Sequence, residues 1–164
     1  MPIVYVETTI PSFYCDERTT PAVVFRRELT RIWWPAARSR YDLVTSQAVL
    51  AELRRAPEPK RTVMLAMMER IPVLALTEQA LRVAKVYVAQ RVMPRDPGGD
   101  AMHLALASVN GCDYLATWNC RHLANAEKLP HIRAVNGELG LPVPILATPE
   151  QLMEEAHGVG PDQG

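Results

Sequence analysis

The sequence predicts an α/β fold in which a parallel sheet is covered by helices on both faces. Two observations carry this. Short continuous runs rich in β-branched and aromatic residues, such as Ile3-Val4-Tyr5-Val6 and Tyr114-Leu115-Ala116-Thr117, recur along the chain, and stretches with helical spacing separate them. A length of 164 residues with 48% hydrophobic residues suits one core. With no internal repeat and no long linker, the expectation is a single domain over residues 1–155 and a disordered Gly/Pro/Asp tail beyond it.

Each element follows from its residues. Ile3–Val6 reads as a first strand buried on both faces; Glu7 ends it, and Thr8-Thr9-Ile10-Pro11-Ser12 read as a loop. From Ala22 to Arg38 or Arg40, Val23, Val24, Leu29, Ile32 and Trp33 alternate with Arg26, Arg27 and Arg31, which predicts a helix with one basic face. Asp42–Thr45 predicts a second strand, and Ser46 caps a helix carrying Val49, Leu50, Glu52 and Leu53. After Pro57 and Pro59 a Met-rich helix runs from Lys60 to Glu69, Ile71–Leu76 reads as a third strand, and Thr77 caps a helix from Glu78 to Arg91. The loop Pro94-Arg95-Asp96-Pro97-Gly98-Gly99 turns into an alanine-rich helix opened by Asp100 and closed at Asn110-Gly111. Tyr114–Thr117 is the fourth strand, followed by Trp118-Asn119-Cys120-Arg121-His122, a short helical stretch to Leu129 and another from Ile132 to Leu139. Pro144–Ala147 predicts an edge strand, and Pro149–Glu155 a last helix.

Charge and cysteine usage narrow the class. The formal net charge is zero, yet residues 18–61 hold ten Arg/Lys against four Asp/Glu, and residues 96–164 hold three against nine. Cys15, Cys112 and Cys120 form no CxxC pair, which suits reduced thiols. With no signal-like segment and no membrane-length apolar run, a cytoplasmic protein without membrane contact is expected. A dinucleotide-binding oxidoreductase is excluded, because Glu7-Thr8-Thr9-Ile10-Pro11 offers no glycine-rich turn for a pyrophosphate. A thiol enzyme has only Cys120 with His122 nearby in sequence to support it.

In parallel α/β sheets ligands sit beyond the carboxyl ends of the strands. That rule gathers Glu7, Thr45, Ser46, Glu52, Asp100, Thr117 and Asn119 around one crevice. Three carboxylates so placed repel, and a hard divalent cation, Mg²⁺ or Mn²⁺, relieves that repulsion with oxygen ligands. Such an ion suits phosphodiester hydrolysis, and Arg26, Arg27, Arg31 and Arg54, with Arg55, would offer phosphate contacts. Each residue also has a structural reading. Glu7 can cap a turn, Glu52 can pair with nearby cations, and Asn119 can serve turn chemistry. Thr45 and Ser46 read as an N-cap in any case, and His103 reads as a core histidine. Trp33, Trp34, Met64, Met67 and Met68 are either core or a partner surface.

The residues resemble those of PIN-domain proteins, and most of all the toxin ribonucleases of bacterial toxin-antitoxin pairs. The resemblance lies in Val4-Tyr5-Val6-Glu7, in Thr45-Ser46 through Leu50-Ala51-Glu52-Leu53, in Gly99-Asp100-Ala101 and in Tyr114-Leu115-Ala116-Thr117-Trp118-Asn119, in that order over about the first 120 residues. It implies a three-layer α/β/α sandwich with a central, mostly parallel sheet. It further implies a Mg²⁺- or Mn²⁺-dependent endoribonuclease that acts on RNA, forms homodimers and pairs with a cognate antitoxin. On that reading Glu7, Glu52, Asp100 and Asn119 are the catalytic and metal-binding set, with Thr45, Ser46 and Thr117 in support. The chain departs from the family pattern at Glu7 and Asn119, where Asp is usual. Glu7 is one methylene longer, and Asn119 keeps an oxygen but loses a charge. The alternative is a PIN-like module that binds RNA or protein without efficient cleavage.

Overall fold

The computed structural model describes residues 1–95 and 99–156. The tail expected to be disordered, and residues 96–98 of the loop before Asp100, lie outside the described residues. Along the chain the elements are β1 (Ile3–Val6), α1 (Thr9–Tyr14), α2 (Pro21–Arg40), β2 (Asp42–Ser46), α3 (Gln47–Arg54), α4 (Lys60–Met68), β3 (Val73–Leu74), α5 (Glu78–Ala89), α6 (Asp100–Val109), β4 (Tyr114–Ala116), a 3₁₀ turn (Ala126–Lys128), α7 (Leu129–Leu139), β5 (Ile145–Ala147) and α8 (Pro149–Ala156).

The five strands form one sheet in the order β3-β2-β1-β4-β5, and every pairing is parallel. Connections from β1 move outward to β2 and β3, and the chain then returns to β4 and β5 on the other side of β1. Right-handed crossovers therefore place α1 to α4 on one face and α5 to α7 on the other, and α8, after the last strand, packs against α2, giving three layers. The direction reverses between β1 and β4. Their carboxyl ends are thus the place where a crevice opens.

The core explains the apolar runs. Val4, Tyr5 and Val6 of β1 and Leu115 and Ala116 of β4 are fully buried, as are Leu104, Ala105, Leu106 and Ala107 of α6. A helix so apolar around its circumference is a central one. Trp33, Trp34, Met64 and Met68 are buried too, so these residues are core rather than partner surface, while Met67 is half-buried against them. Ser46 and Thr77 cap their helices as expected, accepting from the backbone N–H of Val49 and Ala80, and Gly111 takes the left-handed conformation that closes α6.

Two expectations are corrected. Residues 9–12 belong to helix α1 and not to a loop. Pro11 is the third residue of that helix, where no backbone N–H is needed, and Ile10 and Pro11 are both buried by it. The third strand is trimmed to Val73–Leu74. Pro72 precedes it, and the N–H of Leu76 turns to the Gln47 side chain instead of the ladder. Among the described residues the three cysteines are unpaired, and no helix is long and apolar enough to cross a membrane.

Candidate active site

Glu7 follows β1, at the point where the chain direction reverses, and is 2% exposed. Its Oε2 accepts from the Thr9 N–H at 3.0 Å, from the Thr9 hydroxyl and from the Thr117 hydroxyl at 2.8 Å. These hydroxyls accept in turn from the exit of β4: Trp118 N–H donates to Thr9 at 2.8 Å, and Asn119 N–H to Thr117 at 2.9 Å. Oε2 is thereby saturated, whereas Oε1 has no hydrogen-bond partner among the described residues. Burial pushes the Glu7 carboxyl up from its ordinary value, against the opposing pull of His103 and of the hydrogen bonds from Thr9 and Thr117.

Asp100 opens α6 behind Gly99, which has the positive φ of 69° that glycine adopts freely. Asp100 is 7% exposed, and its Oδ1 accepts from the Asn119 amide at 3.0 Å. The Asn119 oxygen accepts from the N–H groups of Arg121 and His122 at 3.2 and 3.0 Å. Two backbone donors thus fix which end of the carboxamide faces Asp100. Glu52 reaches the same place from α3, with its side chain 24% exposed. Its Oε1 accepts from His103 Nε2 at 2.9 Å.

These residues share a cleft of about 630 Å³ lined by Glu7, Thr8, Thr9, Ser12, Glu52, Pro94, Asp100, Asn119, Arg121 and His122. The structure therefore brings together Glu7, Glu52, Asp100 and Asn119. Thr117 supports Glu7 directly. Ser46 is linked to Glu52 only through Tyr5 and His103, at 2.7 Å to Tyr5 Oη. Thr45 donates to the Val6 carbonyl at 3.2 Å and so ties β2 to the end of β1.

Arg26, Arg27 and Arg31 of α2 are engaged by the chain's own groups. The Arg26 guanidinium lies over the edge-to-face pair Phe13 and Trp118, 5.3 and 5.2 Å from their ring centroids, and donates to the Trp118 carbonyl. Arg27 donates to the carbonyls of Asp16 and Arg18, and Arg31 to that of Tyr14. Carbonyls left over at the end of α1 and in the following loop explain this use of arginine. Arg54 and Arg55, at the end of α3, are exposed.

Sequence reasoning passed over several members of the cleft. Thr9 carries a signal, a hydroxyl two residues after the acid, but Thr8-Thr9-Ile10-Pro11-Ser12 reads as loop from its composition. Arg121 and His122 lie just after Asn119 and are the basic residues lining the cleft. Lys128 donates to the Val92 carbonyl at 3.0 Å and lies 3.3 Å from His122 Nδ1. Burial pulls the Lys128 amine down, while Asp100 holds it up.

The donor set can be tested against a hard cation. Among the described residues no three acidic, histidine or cysteine side chains are grouped closely enough to enclose an ion unaided. Mg²⁺, however, commonly takes one or two carboxylates and completes its shell with water and phosphate oxygens. The cleft offers carboxylate oxygens of that kind, Glu7 Oε1 foremost. The Thr8 hydroxyl in the same wall is buried and without a partner among the described residues.

No protein-family model matches the sequence, and no curated protein matches it either. Solved structures do match. VapBC2 from Rickettsia felis, bound to a DNA fragment from its promoter, superposes with a TM-score of 0.53 at 13% identity, over 89% of this chain and 98% of that one. VapC20 from Mycobacterium tuberculosis, a sarcin-ricin loop cleaving toxin, gives 0.54 at 16% identity, over 73% of this chain and 92% of that one. The chain has the PIN-like fold of the VapC toxins. In that PIN-like frame the acid cleft occupies the carboxyl edge of the central strands, where the fold class binds ligands.

Proposed function

We propose that this chain is a Mg²⁺- or Mn²⁺-dependent endoribonuclease of the toxin type, acting in the cytoplasm and held in check by a cognate antitoxin. The observation that carries the reading is the convergence of Glu7, Glu52 and Asp100 on one cleft, with a buried Glu7 whose burial disfavours the charged form. With a divalent cation bound, the charged form would be favoured. Glu7, Glu52 and Asp100 would hold the ion together with water and phosphate oxygens, and Asn119 would steady Asp100 through its amide. When bound, such an ion polarises a phosphoryl oxygen and makes water more acidic.

The chain's own groups do the rest. Thr9 and Thr117 keep Glu7 Oε2 turned into the wall, so that Oε1 remains the usable oxygen. Arg121 and His122 line the cleft, where the guanidinium offers positive charge and both side chains offer N–H donors to RNA phosphates. Arg54 and Arg55 extend that positive surface along α3, and Arg26, Arg27 and Arg31 mainly hold the wall together. The likeness to VapBC2, an assembly seen on promoter DNA, supports a protein partner; a homodimer accords with the same fold.

The deciding experiment compares wild type with Asp100→Ala on a pool of tRNA, rRNA fragments and single-stranded RNA, with Mn²⁺ or with EDTA. Cleavage that needs both the ion and Asp100 is expected. Retention of RNA without turnover by a folded wild type would instead mark a binding module, the reading favoured by the engaged oxygen of Asn119.

A further inference from the structure

We propose that His103 is a positioning residue, which fixes the Glu52 carboxylate through a hydrogen-bond chain anchored on β1 and on the start of α3; this rests on the metal-dependent reading above. Glu52 needs such help. It projects from a short helix, its side chain is 24% exposed, and a free glutamate there would spread over several rotamers.

The chain is continuous. Val49 N–H donates to Ser46 Oγ at 3.2 Å, Ser46 Oγ lies 2.7 Å from Tyr5 Oη, Tyr5 Oη lies 2.7 Å from His103 Nδ1, and His103 Nε2 lies 2.9 Å from Glu52 Oε1. Tyr5 and His103 are fully buried. The polarity of the chain is consistent in either charge state of the imidazole. When it is neutral, Ser46 donates to Tyr5, Tyr5 to Nδ1, and Nε2–H to Glu52; when it is charged, Nδ1–H donates to Tyr5 and Tyr5 to Ser46, and Nε2–H still donates to Glu52.

A second feature narrows the slot. Gly99 has no side chain, and a Cβ built there would collide with Glu52 Oε1 and approach His103 Nε2 to 3.3 Å. The carboxylate occupies the space that glycine leaves. Oε1 is thus packed against both a bare Cα and an imidazole N–H, while Oε2 has no hydrogen-bond partner among the described residues. Hydrogen-bonded support of this kind is what keeps a ligating carboxylate in one orientation.

Two polar substitutions separate positioning from mere core packing. His103→Gln keeps an amide N–H near the Nε2 position and can still donate to Glu52. His103→Asn places its amide near Nδ1, where it meets Tyr5 but falls short of Glu52. Mn²⁺ affinity, measured by calorimetry on folded protein and followed by RNA cleavage, is expected to fall about tenfold in His103→Asn and far less in His103→Gln, the lower end of what loss of such support removes. In a Glu52→Gln background the difference between the two is expected to vanish. Equal Mn²⁺ affinity in His103→Asn, His103→Gln and wild type would overturn the positioning role alone. A folded wild type that takes up no Mn²⁺ would overturn the metal reading and the positioning role together.

Discussion

Asn119 donates its amide to the Asp100 carboxylate at 3.0 Å while its oxygen is held by the backbone N–H groups of Arg121 and His122. The carboxamide thus joins the loop after β4 to the first residue of α6 by satisfying donors on one side and an acceptor on the other. This arrangement makes an amide, rather than a carboxylate, the stable group at position 119 when no cation is present. A second acid there would face Asp100 Oδ1 directly.

Asn119→Asp is therefore expected to trade stability for ion binding. Loss of a hydrogen bond to a charged group, replaced by like-charge repulsion, should cost about 1.5–3 kcal/mol in EDTA. Saturating Mn²⁺ should return most of the loss, and Mn²⁺ affinity should exceed that of wild type. Thermal melts with and without the ion, together with calorimetry, check both halves. A variant as stable as wild type in EDTA would show that Asp100 and residue 119 do not interact as described.

Glu7→Gln tests the buried carboxyl. Burial raises its folded-state pKa above the unfolded value. The stabilisation linked to its proton is therefore complete below the unfolded value, about 4.3 for a free glutamate, and is lost as pH rises through the folded value. The amide does not titrate. In EDTA the variant should approach wild type in stability below about pH 4 and gain on it as pH rises towards neutral. Mn²⁺ should stabilise wild type and leave the variant unmoved. Parallel melting curves against pH would contradict the role assigned to burial.

Much of this was legible in the sequence for a clear physical reason. The strands are continuous apolar runs because helices cover both sheet faces, and Ser46 and Thr77 announce their helices by capping chemistry. The rule that ligands gather at the carboxyl edge then put Glu7, Glu52, Asp100 and Asn119 in one cleft without any contact being known. What stayed hidden depends on partners distant in sequence. Helix α1 reads as loop because Thr8, Thr9, Ile10 and Pro11 are poor helix formers, and only the burial of Ile10 and Pro11 overrides that preference. The arginines of α2 look like a phosphate-binding face until the carbonyls of Tyr14, Asp16 and Arg18 are seen to claim them. His103 looks like a core residue because nothing local shows that Tyr5 and Glu52 meet it from 98 and 51 positions away.

Those arginines give a third prediction. Arg26→Ala removes a guanidinium packed over the rings of Phe13 and Trp118 and should lower stability by about 1–2 kcal/mol. It should leave the salt dependence of RNA binding nearly as it was. Arg54→Ala should do the opposite, with stability changed by less than about 0.5 kcal/mol and the salt slope for single-stranded RNA reduced by about 0.7. Binding titrations at several salt concentrations, beside melting curves, distinguish the two. Equal slopes in wild type and Arg54→Ala would remove α3 from the RNA-binding surface.

Thr117 links the two strands that frame the cleft, because its hydroxyl donates to Glu7 Oε2 and accepts from the Asn119 N–H. Thr117→Val keeps the shape and removes both bonds, leaving a buried carboxylate oxygen and a backbone donor less well satisfied. The cost should be about 1–3 kcal/mol, or about 2–10 °C in melting temperature for a chain of this size. Because the lost donor served the charged form of Glu7, the carboxyl should rise further and Mn²⁺ affinity should fall with it. Thr117→Ser restores the hydroxyl and should recover the affinity even where the lost methyl leaves a small packing defect. If the penalty of Thr117→Val persists undiminished in the Glu7→Gln background, the hydroxyl acts through the Asn119 backbone and not through the acid.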